Sequence, residues 1–255
     1  MITIRRADER RHDRHRKQDV WATFFEQAPT EPLAGGFGAL DLLNEGRVPP
    51  AAVVVCPTVL PPSDAEIVTY VHEGVLAYED STGRSGIIAA GEFHRRNAGR
   101  TIRHSETNAS RTDSAHLFRI WLRPLQSGLE PGDEQRRFGM AERRNGLCVV
   151  ASPDGRRGSL RIRMEALIFS AVLDSGQHVV RELGPGRGAW LHIVQGSVTL
   201  ENMVLTAGDG AGITTECAVS LTARERTEIL LLEVGGLQQG LLVDEPGPVG
   251  RDVVS

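Results

Sequence analysis

Lysine is almost missing from this chain: of its 29 basic residues one, Lys17, is lysine and the rest are arginine. A Walker-type phosphate loop needs a lysine beside its glycines, and a Schiff base needs a desolvated amine. Lys17 sits in the charged run 5–17, a poor place for either, so kinase-like phosphoryl transfer and pyridoxal chemistry are not expected. The skew itself reads as the codon signature of a G- and C-rich coding sequence. Cysteine is scarce too. Cys56, Cys148 and Cys217 stand far apart in no CxxC or Cys/His spacing, which excludes a zinc site and a disulfide framework. No 18-residue apolar run occurs, and charges follow Ile4 at once, so no membrane span or signal peptide is expected and the chain is placed in the cytoplasm. The net charge of −4, and a basic run 5–17 broken by Asp8, Glu9 and Asp13, give no nucleic-acid footprint.

What is present is a succession of short apolar or alternating runs, such as 66–80 (EIVTYVHEGVLAYED), 116–124 (HLFRIWLRP), 189–200 (AWLHIVQGSVTL) and 228–234 (EILLLEV). They are rich in Val, Ile and Thr and are cut by turn residues about every ten positions, with no capped helical period between them. The chain is all-β, of the sandwich or barrel kind. An internal echo supports duplication. Strand, E-G turn, strand, turn, A-G-E in the first half returns as strand, Q-G turn, strand, turn, A-G-D-G in the second. The expected division is an N-terminal domain 1–126, a polar linker 127–145, a C-terminal domain 146–236 and a tail 237–255.

Two glycine patterns, 184–189 (GPGRGA) and 208–212 (GDGAG), are turns, because neither follows a strand and opens a helix with the dinucleotide spacing. The informative stretch is 86–108. On a strand, His104 and Glu106 share a face because side chains alternate with period two. An imidazole and a carboxylate so placed make half of a metal site, an acid–base pair or a buried ion pair.

Several motifs then occur in combination: RRADER with Trp21, GFGALDLLNEGRVPP (36–50), EIVTYVHEG (66–74), AGRTIRHSExN (98–108), EQRRF (134–138) and SPDGxxGSL (152–160). By these the sequence resembles the pirin family of bicupins, which includes quercetinase-like proteins. The resemblance implies two β-barrel, jelly-roll-like cupin domains packed face to face, with the active site in the N-terminal one. It also implies a metal, usually iron, on three histidines and a glutamate. His104 and Glu106 match two of these ligands. The family's H-x-H pair falls on Leu60 and Pro62, which cannot ligate, and no histidine lies between His15 and His72. His72 is roughly 20 Å further along its strand, and His94 is the less remote substitute.

The expectation is therefore a site with no cofactor, with residual iron or another divalent metal at low occupancy at most, held if at all by His104 and Glu106. His104, Glu106, Glu66 and Tyr70 are expected to converge as catalytic groups, with Leu60, Pro62, Arg103 and Arg119 as substrate contacts. The first reading is metal-independent isomerisation, cyclisation or elimination on a small hydrophobic, aromatic or polyketide-like molecule. The second is a metal-dependent, quercetin 2,3-dioxygenase-like oxygenase. The third is a regulatory or redox-sensing protein, for which Cys56, flanked by apolar residues, would be the reactive thiol. A small-molecule ligand is expected as partner, with no nucleic acid and no membrane.

Overall fold

The computed structural model describes residues 1–25, 33–54, 65–97, 104–123 and 132–235, and the backbone alone of His104. The alternating runs form strands that build two stacks of facing sheets. In the first stack the large sheet runs in the order Gly132–Arg137, Glu92–Asn97, Glu66–Glu73, Ala115–Leu122, Leu40–Val48, Gln18–Ala22, Arg11–His15. Its partner sheet is Ser85–Ala89, Val75–Asp80, His104–Asn108. In the second stack the large sheet runs Ile2–Arg5, Gly210–Ile213, Gly188–Gln195, Thr227–Val234, Ala166–Leu173, Cys148–Ser152, Leu160–Arg161. His178–Glu182, Ala218–Ala223, Ser197–Leu200 and Met203–Thr206 face it.

The duplication read in the sequence is real. Glu66–Glu73 and Gly188–Gln195 hold equivalent places, each flanked by two strands of its large sheet and each turning at a glycine into the smaller one. Those turns, Gly74 and Gly196, have φ of +80° and +83°, a conformation that costs an L side chain energy. A Cβ on Gly196 would also lie 2.6 Å from the carbonyl oxygen of Arg226. Gly196→Ala is expected to lower the unfolding free energy by about 1–3 kcal/mol, read as a shifted urea midpoint. An unchanged midpoint would show that the turn can relax.

Two boundaries differ from the expected division. Strand Ile2–Arg5 leaves the first half of the chain and pairs antiparallel with Gly210–Ile213 in the second stack. The expected linker contains strand Gly132–Arg137, bonded to Glu92–Asn97, and a short helix, Met140–Arg143. Its polarity made it read as linker. An edge strand, half of whose residues stay exposed, needs few apolar residues. Residues of the expected tail lie outside the described set.

Among the described residues three apolar clusters form, and the faces of the strands sort them. Along Glu66–Glu73, Val68 and Tyr70 join a cluster between the two large sheets, with Phe93, Phe118, Ile168, Trp190 and Leu230. Val71 points the other way, into a small cluster inside the first barrel with Val48, Leu76, Ile88 and Leu117. The interior of the second barrel is mostly apolar, lined by residues such as Leu191, Val198, Leu221 and Leu231, with the buried Glu233 held by Arg181 and Arg187 at one end. The first barrel is different, because beyond its small cluster its interior is polar.

Candidate functional site

Cross-strand registers show how that polar interior is assembled. One row across the large sheet pairs His94 with Thr69, Thr69 with Arg119, and Arg119 with Asn44. The next row pairs Arg96 with Ile67 and Ile67 with Trp121. From the facing sheet, Glu106 stands on the His104–Asn108 strand opposite Tyr78. It is buried, and both its oxygens meet cations: Arg96 Nη2 donates to Oε1 at 3.0 Å and Arg119 Nη2 donates to Oε2. Such charge-assisted bonds are strong, and in a low-dielectric interior they offset part of the desolvation of all three groups. His94 stacks on Tyr78 with ring centroids 4.8 Å apart. Burial, aided by the charge of Arg96, holds its imidazole down at about 4, so it is neutral at physiological pH.

Beside these groups lies a cavity of about 140 Å³, walled by Val54, Ile67, Trp121, Arg96, Arg119 and Glu106 and opening past the exposed Val53 and Ser105. It is smaller than the ~300–1,000 Å³ usual for drug-sized ligands, so it takes a small molecule or one ring of a larger one. Several polar atoms here are buried without a partner: Nε and Nη1 of Arg96, Nε1 of Trp121 and both amide atoms of Asn44. Orphans of this kind are rare in native interiors, and a bound water, ion or ligand would satisfy them.

The expected convergence of four catalytic groups does not occur. Glu106 is in the barrel, but Glu66 and Tyr70 lie on the opposite face of their sheet, towards the second barrel. The reason is parity: even-numbered residues of Glu66–Glu73 face the seam between barrels, and odd-numbered ones face the interior. Glu66 is fully buried and accepts a bond at 2.6 Å from the backbone N–H of Arg163. Burial pushes its carboxyl up despite that bond and the nearby Arg95. Tyr70 donates to Glu228 of the second barrel, and burial together with that carboxylate pushes its phenol up. Among the expected substrate contacts Arg119 lines the cavity, whereas Leu60, Pro62 and Arg103 lie outside the described residues. So do the side chain of His104 and all of Cys56.

Sequence reasoning missed Arg96, Trp121 and Asn44. The pair Arg95-Arg96 reads as a solvated basic dipeptide. Only its parity with buried Phe93 and His94 carried a signal: Arg95 must share the seam face with Phe93, and Arg96 the interior with His94.

The seam holds a polar cluster of its own. Arg143 Nη1 donates to Glu228 at 2.8 Å, to Tyr70 at 3.0 Å and to Ser170 at 3.2 Å. His72 Nδ1 is 3.3 Å from the other oxygen of Glu228. Nearby, Glu45 lies between His116 and Arg10, each at 2.8 Å. Burial alone would raise the Glu45 carboxyl, but the His116 bond and the Arg10 charge outweigh it and bring it down to about 2. His192 is fully buried with neither ring nitrogen bonded.

Two facing-sheet barrels joined through their large sheets make the molecule a bicupin. Residues 35–122 match the family model described as Pirin, and residues 149–234 match the quercetinase C-terminal cupin domain. The chain belongs to the pirin family. It is 36% identical over 234 residues to quercetin 2,3-dioxygenase of Escherichia coli K12, covering 92% of this chain and 99% of the relative. A pirin-like protein of Caulobacter vibrioides is 31% identical over 80% of this chain and 86% of its own length. Among solved structures, the bacterial pirin YhhW of Escherichia coli in complex with nickel(II) superposes with a TM-score of 0.81. Its identity is 34%, covering 92% of this chain and 99% of that one.

That nickel complex corrects the expectation of a cofactor-free protein, because relatives this similar point to a divalent metal cofactor. The reading by which the loss of a histidine pair removes the metal from the family's chemistry is not supported. The quercetinase-like reading is better supported than isomerisation or cyclisation. The donors among the described residues are nevertheless arranged unlike a metal site. Both oxygens of Glu106 are engaged by guanidiniums, and among the described residues no three His, Cys, Asp or Glu side chains cluster to hold an ion. These described side chains do not fit a divalent metal, since a cation at Glu106 would sit against two fixed positive charges. Among the described residues no helix is long and apolar enough to cross a membrane.

Proposed function

We propose that the chain acts on a small phenolic or other aromatic molecule held in the N-terminal barrel, and that flavonol 2,3-dioxygenation is its reaction class. One conjunction supports the reading. A buried carboxylate, Glu106, stands beside a cavity walled by an indole. The cavity belongs to the barrel that matches the Pirin model, in a chain 36% identical to a quercetin 2,3-dioxygenase along nearly all its length. In this reading Trp121 and Ile67 supply a flat apolar wall for the ring. Arg119 is a polar contact for its oxygen substituents, and the two arginines hold Glu106 in one orientation.

The test follows oxygen uptake with quercetin on the purified protein, and again after separate incubation with nickel(II), iron(II), manganese(II) and copper(II). Flavonol-dependent uptake above the protein-free rate is expected with at least one of these ions. It should fall at least tenfold in Glu106→Gln, the loss usual for a positioned acid or base. Quercetin left unconsumed under every ion would overturn the oxygenase reading.

A further inference from the structure

We infer that the cavity of the N-terminal barrel is built to take a carboxylate, borne on a small aromatic ring, with Arg96 and Trp121 as its anchors. The inference names the ligand class of the same cavity as the proposed function, and it needs no turnover to be tested.

Charge comes first. Among the described side chains around the cavity, two guanidiniums face one carboxylate, Glu106. Arg96 and Trp121 there keep donors that this carboxylate does not use, and a buried donor without an acceptor is costly. A carboxylate of matching size would supply the acceptor. Arg96 is 6% exposed and spends only Nη2 on Glu106, leaving Nε and Nη1 buried without an acceptor. Trp121 is 1% exposed, and its indole N–H is also unpaired. Arg96 and Trp121 flank Ile67 in one cross-strand row, so their side chains rise side by side from one sheet face.

The available groups near the anion are therefore donors, which is the chemistry of an acceptor-rich ligand. Of the remaining described lining, Val53, Val54, Ile67 and the Trp121 ring system are apolar and suit a ring attached to the carboxylate, with Ser105 at the exposed rim. The volume of about 140 Å³ sets the scale at a single ring. Asn44, beside Arg119 in the neighbouring row, adds an unpaired amide within the same barrel.

Benzoate serves as the probe, with benzamide as its neutral isostere, in calorimetric titrations of the full chain backed by tryptophan fluorescence. Benzoate is expected to bind saturably and at least about tenfold more tightly than benzamide, because a charge-assisted bond is lost in the amide. Arg96→Met is expected to weaken benzoate about tenfold or more, and Arg96→Lys to recover part of that loss. Trp121→Phe keeps the ring and removes only the donor, so it should weaken benzoate a few-fold. If Arg96→Met fails to fold, Arg96→Lys and Trp121→Phe still carry the comparison. Equal affinity for benzoate and benzamide, no saturable binding of either, or benzoate affinity unchanged in the folded variants would overturn the inference. Because no oxygen or flavonol enters the assay, its outcome is separate from that of the dioxygenase test.

Discussion

Urea unfolding at successively lower pH is expected to show stability lost from about pH 6.5 down to about pH 3, the interval set by two buried histidines. Burial, with Arg96 beside it, holds His94 at about 4. Burial, with Arg10 nearby, holds His192 at about 3. Both titrate near 6.5 in the unfolded chain. Below that pH the unfolded state binds protons that the folded state refuses, so the unfolding free energy falls with pH. Each unit of separation is worth about 1.4 kcal/mol, and the two sites together are worth several.

Glu45 adds to the loss with the same sign. Its carboxyl is held at about 2 in the fold, so its contribution is present above pH 4.5 and disappears as pH falls towards 2. Glu66, raised by burial, works the other way, favouring the fold on the acid side of its own titration. One carboxyl does not reverse two histidines. His192→Leu sharpens the test. Neither of its ring nitrogens is bonded, so an apolar replacement of similar size should cost little at pH 7 and flatten the acid limb. A wild-type profile already flat between pH 7 and 4 would show that the histidines are protonated without penalty.

Arg143→Met is expected to cost about 3–5 kcal/mol, the usual consequence of leaving one partner of a buried ion pair uncompensated. Arg143 is 5% exposed and bonds Glu228, Tyr70 and Ser170 from a short helix that bridges the barrels. Tyr70 belongs to the first barrel and Glu228 and Ser170 to the second, so the loss falls on the joint between them. Removing the charge left behind should restore part of the stability. The double variant Arg143→Met with Glu228→Gln is expected to be more stable than Arg143→Met alone, a coupling that a double-mutant cycle measures directly. A single-variant loss under 1 kcal/mol, or strict additivity of the pair, would show that water reaches the network and screens it.

Much of the architecture was legible along the chain because its signals are local. Val- and Ile-rich runs cut by glycine every ten residues are strands whatever packs on them. The two glycine turns at 74 and 196 repeat because the same hairpin is built twice. The site was legible only in part. Glu106 and Arg119 were singled out and do meet, whereas Glu66 and Tyr70 were grouped with them and face the other barrel. Arg96 went unnoticed because an arginine pair in isolation looks like a solvated surface.

What the sequence by itself determined was the all-β, duplicated fold and the parity classes of each strand, since side chains must alternate along extended backbone. It also set the scarcities, a single lysine and a histidine gap from 15 to 72. Tertiary structure alone decided which class faces a barrel interior and which the seam, because that depends on which sheet packs on which. It also sent the first strand to the second barrel and brought two arginines from separate strands onto one carboxylate. A strand carries two faces in its own residues, and only its neighbours give one of them an inside.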